Sequence, residues 1–178
     1  MTRYSNLLHA WAKGWVVLSL LLAFIIVIFL PVGDPDLARK SLDGRVYYTA
    51  EEAFSAVASY GEAGRVQMIW LHLWDFVLIA LYTSMFCMSI SWLFQRGFPP
   101  DSKMQRLNLI PVLGGLFDVL ENIWIIIMLL VYPSEPVVVG WLAAIFTTSK
   151  YIMAVPIFGL LLIGLVKVAL NGSRIHKE

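Results

Sequence analysis

The stretch Leu107-Asn-Leu-Ile-Pro-Val-Leu-Gly-Gly-Leu-Phe-Asp118-Val-Leu-Glu121-Asn122-Ile-Trp-Ile-Ile-Ile-Met-Leu-Leu-Val-Tyr132 decides the fold. A bilayer core of about 30 Å takes about 20 largely apolar residues in a helix, and this run is long enough. It also carries two acids and an amide in its interior. An ionisable side chain there costs roughly 2.5–3.5 kcal/mol on insertion scales. On a helix, Pro111, Gly114, Asp118, Glu121, Asn122 and Ile125 recur at three and four, so they share one face. Gly114 and Gly115 let a neighbouring backbone come close.

The rest of the chain is of the same kind. Of its 178 residues, 60% are hydrophobic and 14% charged, and the mean hydropathy is +0.77. Soluble domains are nearer half apolar and a quarter charged. A chain this short cannot bury so much apolar surface in its own core, so the excess faces lipid. That argues against a soluble enzyme, a nucleic-acid reader and a disordered tail. The net charge of +1 gives no long-range field for polyanions, and no nucleic-acid partner is expected. A single cysteine, Cys87, excludes an internal disulfide and any multi-cysteine metal motif.

Working outward, four spans are predicted, at about 11–30, 68–94, 107–132 and 137–168. The turn Pro133-Ser-Glu-Pro136 makes the last two an antiparallel pair. The fold class is all-α: a polytopic four-transmembrane-helix bundle in a single membrane domain, 1–178. The first span has a basic flank, but its run is long. Pro31-Val-Gly-Asp-Pro35 offers no small-x-small cleavage site, so an uncleaved signal anchor is expected. Basic residues near span ends orient the chain. Arg3, Lys13, Arg96, Lys103, Arg106, Lys167, Arg174 and Lys177 fall on one side, against Arg39, Lys40, Arg45 and Arg65 on the other. Both termini are therefore expected in the cytoplasm of a cell whose cytoplasmic membrane holds the protein. Trp11, Trp15, Trp70, Trp74, Trp92 and Trp141 sit near span ends, where amphipathic rings prefer the interface.

The outer loop, 32–67, is more than a linker. Thr49 followed by Glu52 reads as a capping box. Phe54, Val57 and Ala58 give the next turns an apolar face, and Gly61 is a natural cap. A short amphipathic helix is predicted, over the bundle or in the headgroups.

Asp75, Asp118, Glu121 and Lys150 are ionisable groups inside the predicted spans, joined by Asn122, His72, Tyr82, Thr147 and Thr148. Asp118, Glu121 and Lys150 fall near the middle of their spans, and Asp75 lies about 9 Å nearer the outer face by the helical rise. The long lysine stem covers part of that gap. The expected site is a pocket of Asp75, Asp118, Glu121, Asn122, Lys150, His72 and Tyr82. One base neutralises only one acid. At least one of the three carboxyls is therefore expected to hold a proton at neutral pH, since burial and like charge both favour the neutral form. The competing reading is a plain lock between helices, a Lys150–Asp118 pair of the kind worth about 0.6 kcal/mol on average.

Other chemistry is weaker. Carboxylate-bridged metal bundles use Glu-x-x-His pairs with further glutamates. Here one histidine is in range, because His9 and His176 are terminal, so neither metal nor cofactor is expected. No G-x-S-x-G elbow or phosphate-binding glycine loop occurs.

Tyr48-Thr-Ala-Glu-Glu52, Gly61-Glu-Ala-Gly-Arg65, Asp75, Tyr82, Pro111, Asp118-Val-Leu-Glu-Asn122 and Thr147-Thr-Ser-Lys150 together resemble a family of small four-span microbial membrane proteins of unassigned function. The likeness runs through most of the chain from Tyr47 onward. It implies the four-helix bundle and brings no activity with it.

Three functions compete. The pocket binds or moves a proton, an ion or a small polar or lipid substrate, and a pore or carrier of this size calls for a homo-oligomer. Alternatively the chain is a structural or regulatory subunit of a membrane partner protein, its buried charges only locking helices. Third, it is an intramembrane lipid-modifying enzyme with Glu121 as acid and Asp118 or Asp75 as base.

Overall fold

The computed structural model describes residues 3–30 and 34–175, with 172–175 described as backbone only. Pro31, Val32 and Gly33, His176 and Lys177, all used above, lie outside the described residues, as does the side chain of Arg174. Every regular element among the described residues is helical. They are α1 (Arg3–Trp11), α2 (Gly14–Ile28), the single turn α3 (Pro35–Ala38), α4 (Ala50–Ser59), α5 (Gly61–Gly97), α6 (Ile110–Val131) and α7 (Val137–Ile175). Short 3-10 segments occupy Leu42–Gly44 and Lys103–Leu109, the latter running directly into α6.

Among the described residues three helical stretches are long and apolar enough to cross a membrane: α5, Lys103–Val131 and α7. Helices of this kind mark a membrane-embedded protein. The predicted first span is not one straight helix. The chain breaks after Trp11, and α1 and α2 meet at 88°; counted as one span, the bent pair makes a fourth. The break falls at Ala12-Lys13, just before Gly14, the poorest common helix former but proline. Gly14 also lies against the indole of Trp92, whose Nε1 would be 3.3 Å from an added Cβ. α5 and α7 outrun their predicted ends, while α6 lies inside its predicted 107–132. α5 begins at Gly61 rather than near residue 68, and its 37 residues extend about 55 Å.

Two compact units divide the described chain. One comprises Met1–Val27, Leu81–Gly114 and Met153–Glu178, and the other Ile28–Ala80 and Gly115–Ile152. The first packs around Ile90, Leu93, Phe94 and Leu160. Gly164 permits this closeness, since a Cβ there would come within 2.9 Å of Leu93. Polar side chains fasten α1 into it. Ser5 Oγ donates to Asn108 Oδ1 at 2.9 Å, and Asn108 Nδ2 donates to Ser91 Oγ at 2.9 Å. Gln105 Nε2 donates to the carbonyls of Phe94, in the last turn of α5, and Phe98, just past it.

The second unit packs around Leu42, Tyr48, Phe54, Val57, Met68, Ile125, Met128 and Ala143. The predicted amphipathic helix is α4, and its Thr49–Glu52 capping box forms in both directions. It buries Ala50, Ala53, Phe54, Ala56 and Val57, so of the two placements allowed by the sequence it takes the one over the helices. Gly61 adopts φ +66, the left-handed conformation that ends α4 and turns the chain into α5. Gly140 of α7 receives α4: a Cβ there would come within 2.9 Å of the Ala50 Cα.

Candidate functional site: a buried polar layer

The second unit contains every predicted pocket residue except Tyr82. Along α5, His72 and Asp75 lie 11 and 14 residues past Gly61. Along α6, Glu121 and Asp118 lie 10 and 13 residues before Val131, and along α7, Thr147 and Lys150 lie 10 and 13 past Val137. At 1.5 Å per residue all six are about 15–21 Å from those helix ends. They form one layer. Asp75 is level with the others because α5 starts earlier than its hydropathy indicates.

Lys150 is the centre of the layer. Its Nζ lies 2.5 Å from Glu121 Oε2 and 3.1 Å from Asp118 Oδ1, and it also contacts Asp43 Oδ1. Glu121 has no exposed surface. Its other oxygen, Oε1, lies 2.8 Å from Thr147 Oγ1. Thr147 Oγ1 is also 2.9 Å from the Ala143 carbonyl, so its single proton is engaged there or at Glu121. The Tyr48 hydroxyl, 2.9 Å away, therefore donates to Thr147. Burial raises the Tyr48 phenol above its ordinary 10, and the bond to Thr147 offsets only part of that.

The segment carrying Asp43 and Tyr48 lies alongside α7. Tyr151 donates its hydroxyl to the Asp43 carbonyl at 3.0 Å, and Thr148 Oγ1 donates to the Val46 carbonyl at 3.2 Å. The loop thus supplies a third carboxyl to the lysine from outside the helices. Asp43, Asp118 and Glu121 each offer an oxygen within 4.8 Å of the other two, a spacing suited to a cation. The Lys150 ammonium is that cation.

Asn122 joins the remaining residues. Its Nδ2 donates to Asp75 Oδ2 at 2.7 Å, which leaves Oδ1 as the acceptor for His72 Nδ1. The imidazole therefore carries its proton on Nδ1, an assignment fixed by the network. Nε2 is buried and has no hydrogen-bond partner among the described residues. The expected gap that the lysine stem was to cover in part is absent, since Asp75 is level with the others; its hydrogen bond is to Asn122.

Tyr82 belongs to the first unit, where its ring lies 6.0 Å from that of Phe86. Three contributors were not among the predicted pocket residues: Asp43, Tyr48 and Thr147. Thr147 shares the α7 face with Lys150, and that spacing is a usable signal. Asp43 had none, because no spacing rule ties a loop acid to a lysine 107 residues on.

No protein-family description, curated protein or solved structure matches the chain.

Proposed function

We propose that the chain is a four-span protein of the cytoplasmic membrane with both termini inside, whose polar layer binds protons or a small cation from the outer side. The observation that carries this reading is the sharing of one ammonium by Asp43, Asp118 and Glu121. A lock between helices needs one acid. Here three contact the lysine and a fourth, Asp75, lies on Asn122. Excess negative charge in a low-dielectric interior is neutralised by a proton or a cation. Asp43 is the route in: its side chain is 39% exposed, while that of Lys150 is 13% exposed.

Charge supports the orientation: the unit with both termini has eight basic and two acidic residues, and the unit with the polar layer has five basic and ten acidic. A loop beside Lys150 fits a layer reached from the outer side, because irregular backbone is not tolerated against lipid tails.

The test combines infrared titration of the carboxyl C=O stretch with flux in proteoliposomes. The expected result is a protonated carboxyl band at neutral pH, lost in Glu121→Gln or Asp118→Asn, together with a flux that Asp118→Asn and Lys150→Met abolish. Finding every carboxyl ionised at pH 7 with no bound ion overturns the proposal. So does a set of variants that lowers folded yield and leaves flux per folded protein unchanged. That second outcome favours the subunit reading, which the mutual hydrogen bonding of Tyr48, Thr147 and Glu121 also fits.

A further inference from the structure

Helix α1 divides into three sectors. Ser5, Leu8 and His9 form the first, and it is occupied by protein: Ser5 is fully buried on Asn108, and His9 Nε2 lies 3.0 Å from the Gln105 carbonyl. At 100° per residue Tyr4, Leu7 and Trp11 form a second sector. These three are 73%, 51% and 64% exposed. The third sector holds Arg3, Asn6 and Ala10, all exposed. A helix packed on one side, apolar on the second and polar on the third is suited to a boundary between oil and water.

The bend supplies the orientation. α2 is apolar along its length and none of its residues is buried, so lipid is its surroundings. α1 meets it at 88°, so when α2 runs along the bilayer normal α1 lies in the bilayer plane. Tyr4 and Trp11 are the side chains that favour the headgroup level. The charge nearby is basic: Arg3 and Lys13 flank the helix, and Lys103 and Arg106 are exposed on the 3-10 segment that α1 packs against. We propose that α1 is an interfacial helix lying on the anionic inner leaflet, with Tyr4, Leu7 and Trp11 dipped among the acyl chains. The choice of the inner leaflet rests on the orientation proposed above; the lie of α1 in the bilayer plane does not depend on the role of the polar layer.

The experiment places nitroxide labels on single cysteines at positions 4, 6, 7, 10 and 11 of the full chain in nanodiscs. Cys87 is 2% exposed and stays unlabelled in the folded protein. Accessibility to oxygen and to a nickel chelate then gives depth. Labels at 4, 7 and 11 are expected at one common depth, oxygen-rich and nickel-poor, with 6 and 10 reversed on the same helix. A helix continuing α2 along the normal would separate positions 4 and 11 by about 10 Å, and that gradient overturns the proposal. Labels at 4, 7 and 11 shielded from both reagents also overturn it, since protein then covers the face. Nanodiscs of phosphatidylcholine alone are compared with others containing phosphatidylglycerol. Nickel accessibility at 4, 7 and 11 is expected to fall further with the anionic lipid, and equal values overturn the assignment to an anionic surface.

Discussion

Lys150 Nζ stands 2.5 Å from Oε2 of Glu121, a carboxyl with no exposed surface of its own. Each group makes the burial of the other tolerable. Removing one partner of such a pair typically costs about 3–5 kcal/mol, because an uncompensated charge stays behind. Lys150→Met is therefore expected to lower the unfolding midpoint sharply in detergent. Lys150→Met combined with Glu121→Gln should recover a large part of the loss. Equal losses in the single and the double variant would show that the two groups are not coupled.

The membrane class and the face shared by Asp118, Glu121 and Asn122 were legible in the sequence, because apolar run length and helical spacing are local properties. So was α4, whose cap needs only Thr49 and Glu52. The bend before Gly14 was not, since hydropathy continues smoothly through the residues that follow it. The early start of α5 was missed for a related reason. Residues 61–67 are polar enough to read as loop, yet the helix continues through them, its first turn set by Gly61 at φ +66. Asp43 stayed invisible because its partner is brought to it only by the packing of the loop along α7.

The approach of α4 to α7 gives a steric test. At Gly140 a Cβ would lie 2.7 Å from Ala50 Cβ and 2.9 Å from Ala50 Cα. Backbone cannot yield as a long side chain does, and overpacking of this kind costs about 1–3 kcal/mol. Gly140→Ala is expected to loosen α4 and speed proteolysis between residues 39 and 49. Gly159→Ala is the control: nothing lies within 4 Å of its added Cβ, so it should be neutral or slightly stabilising. Equal proteolysis in the two variants would sink the close-packing account.

Asn108 holds three chain segments through one amide. Oδ1 accepts from Ser5, and Nδ2 donates to Ser91 Oγ at 2.9 Å and to the Ser5 carbonyl at 3.3 Å. Asn108→Ala removes these bonds in a buried site, at about 1 kcal/mol, since Ser5 Oγ keeps the Gln105 carbonyl and Ser91 Oγ the Cys87 carbonyl. Hydrogen exchange should accelerate in α1, which loses its anchor, while α4 keeps its wild-type protection. Gln95→Ala removes the more exposed bond to His9 and should change stability by about 0.5 kcal/mol or less. Unchanged exchange in α1 after Asn108→Ala would show that the anchor lies elsewhere.

Tyr48 ties stability to alkaline pH. Burial raises its phenol above the ordinary 10, so the folded protein retains a proton that the unfolded chain gives up. For a group raised on folding, the stabilisation is complete below the unfolded value and is lost as pH climbs past it. Stability should therefore fall above about pH 10, the unfolded phenol value, for this residue. Tyr48→Phe removes that dependence. It also loses the hydrogen bond to Thr147, at about 1 kcal/mol near neutrality, so the variant is weaker at pH 7 and flatter above pH 10. Phenolate absorbance at 295 nm supplies the check. The difference between wild type and Tyr48→Phe should show no ionisation while the protein is folded and one step that coincides with alkaline unfolding. A Tyr48 step near pH 10 in folded protein would mean the phenol is open to water, and would place the loop off α7.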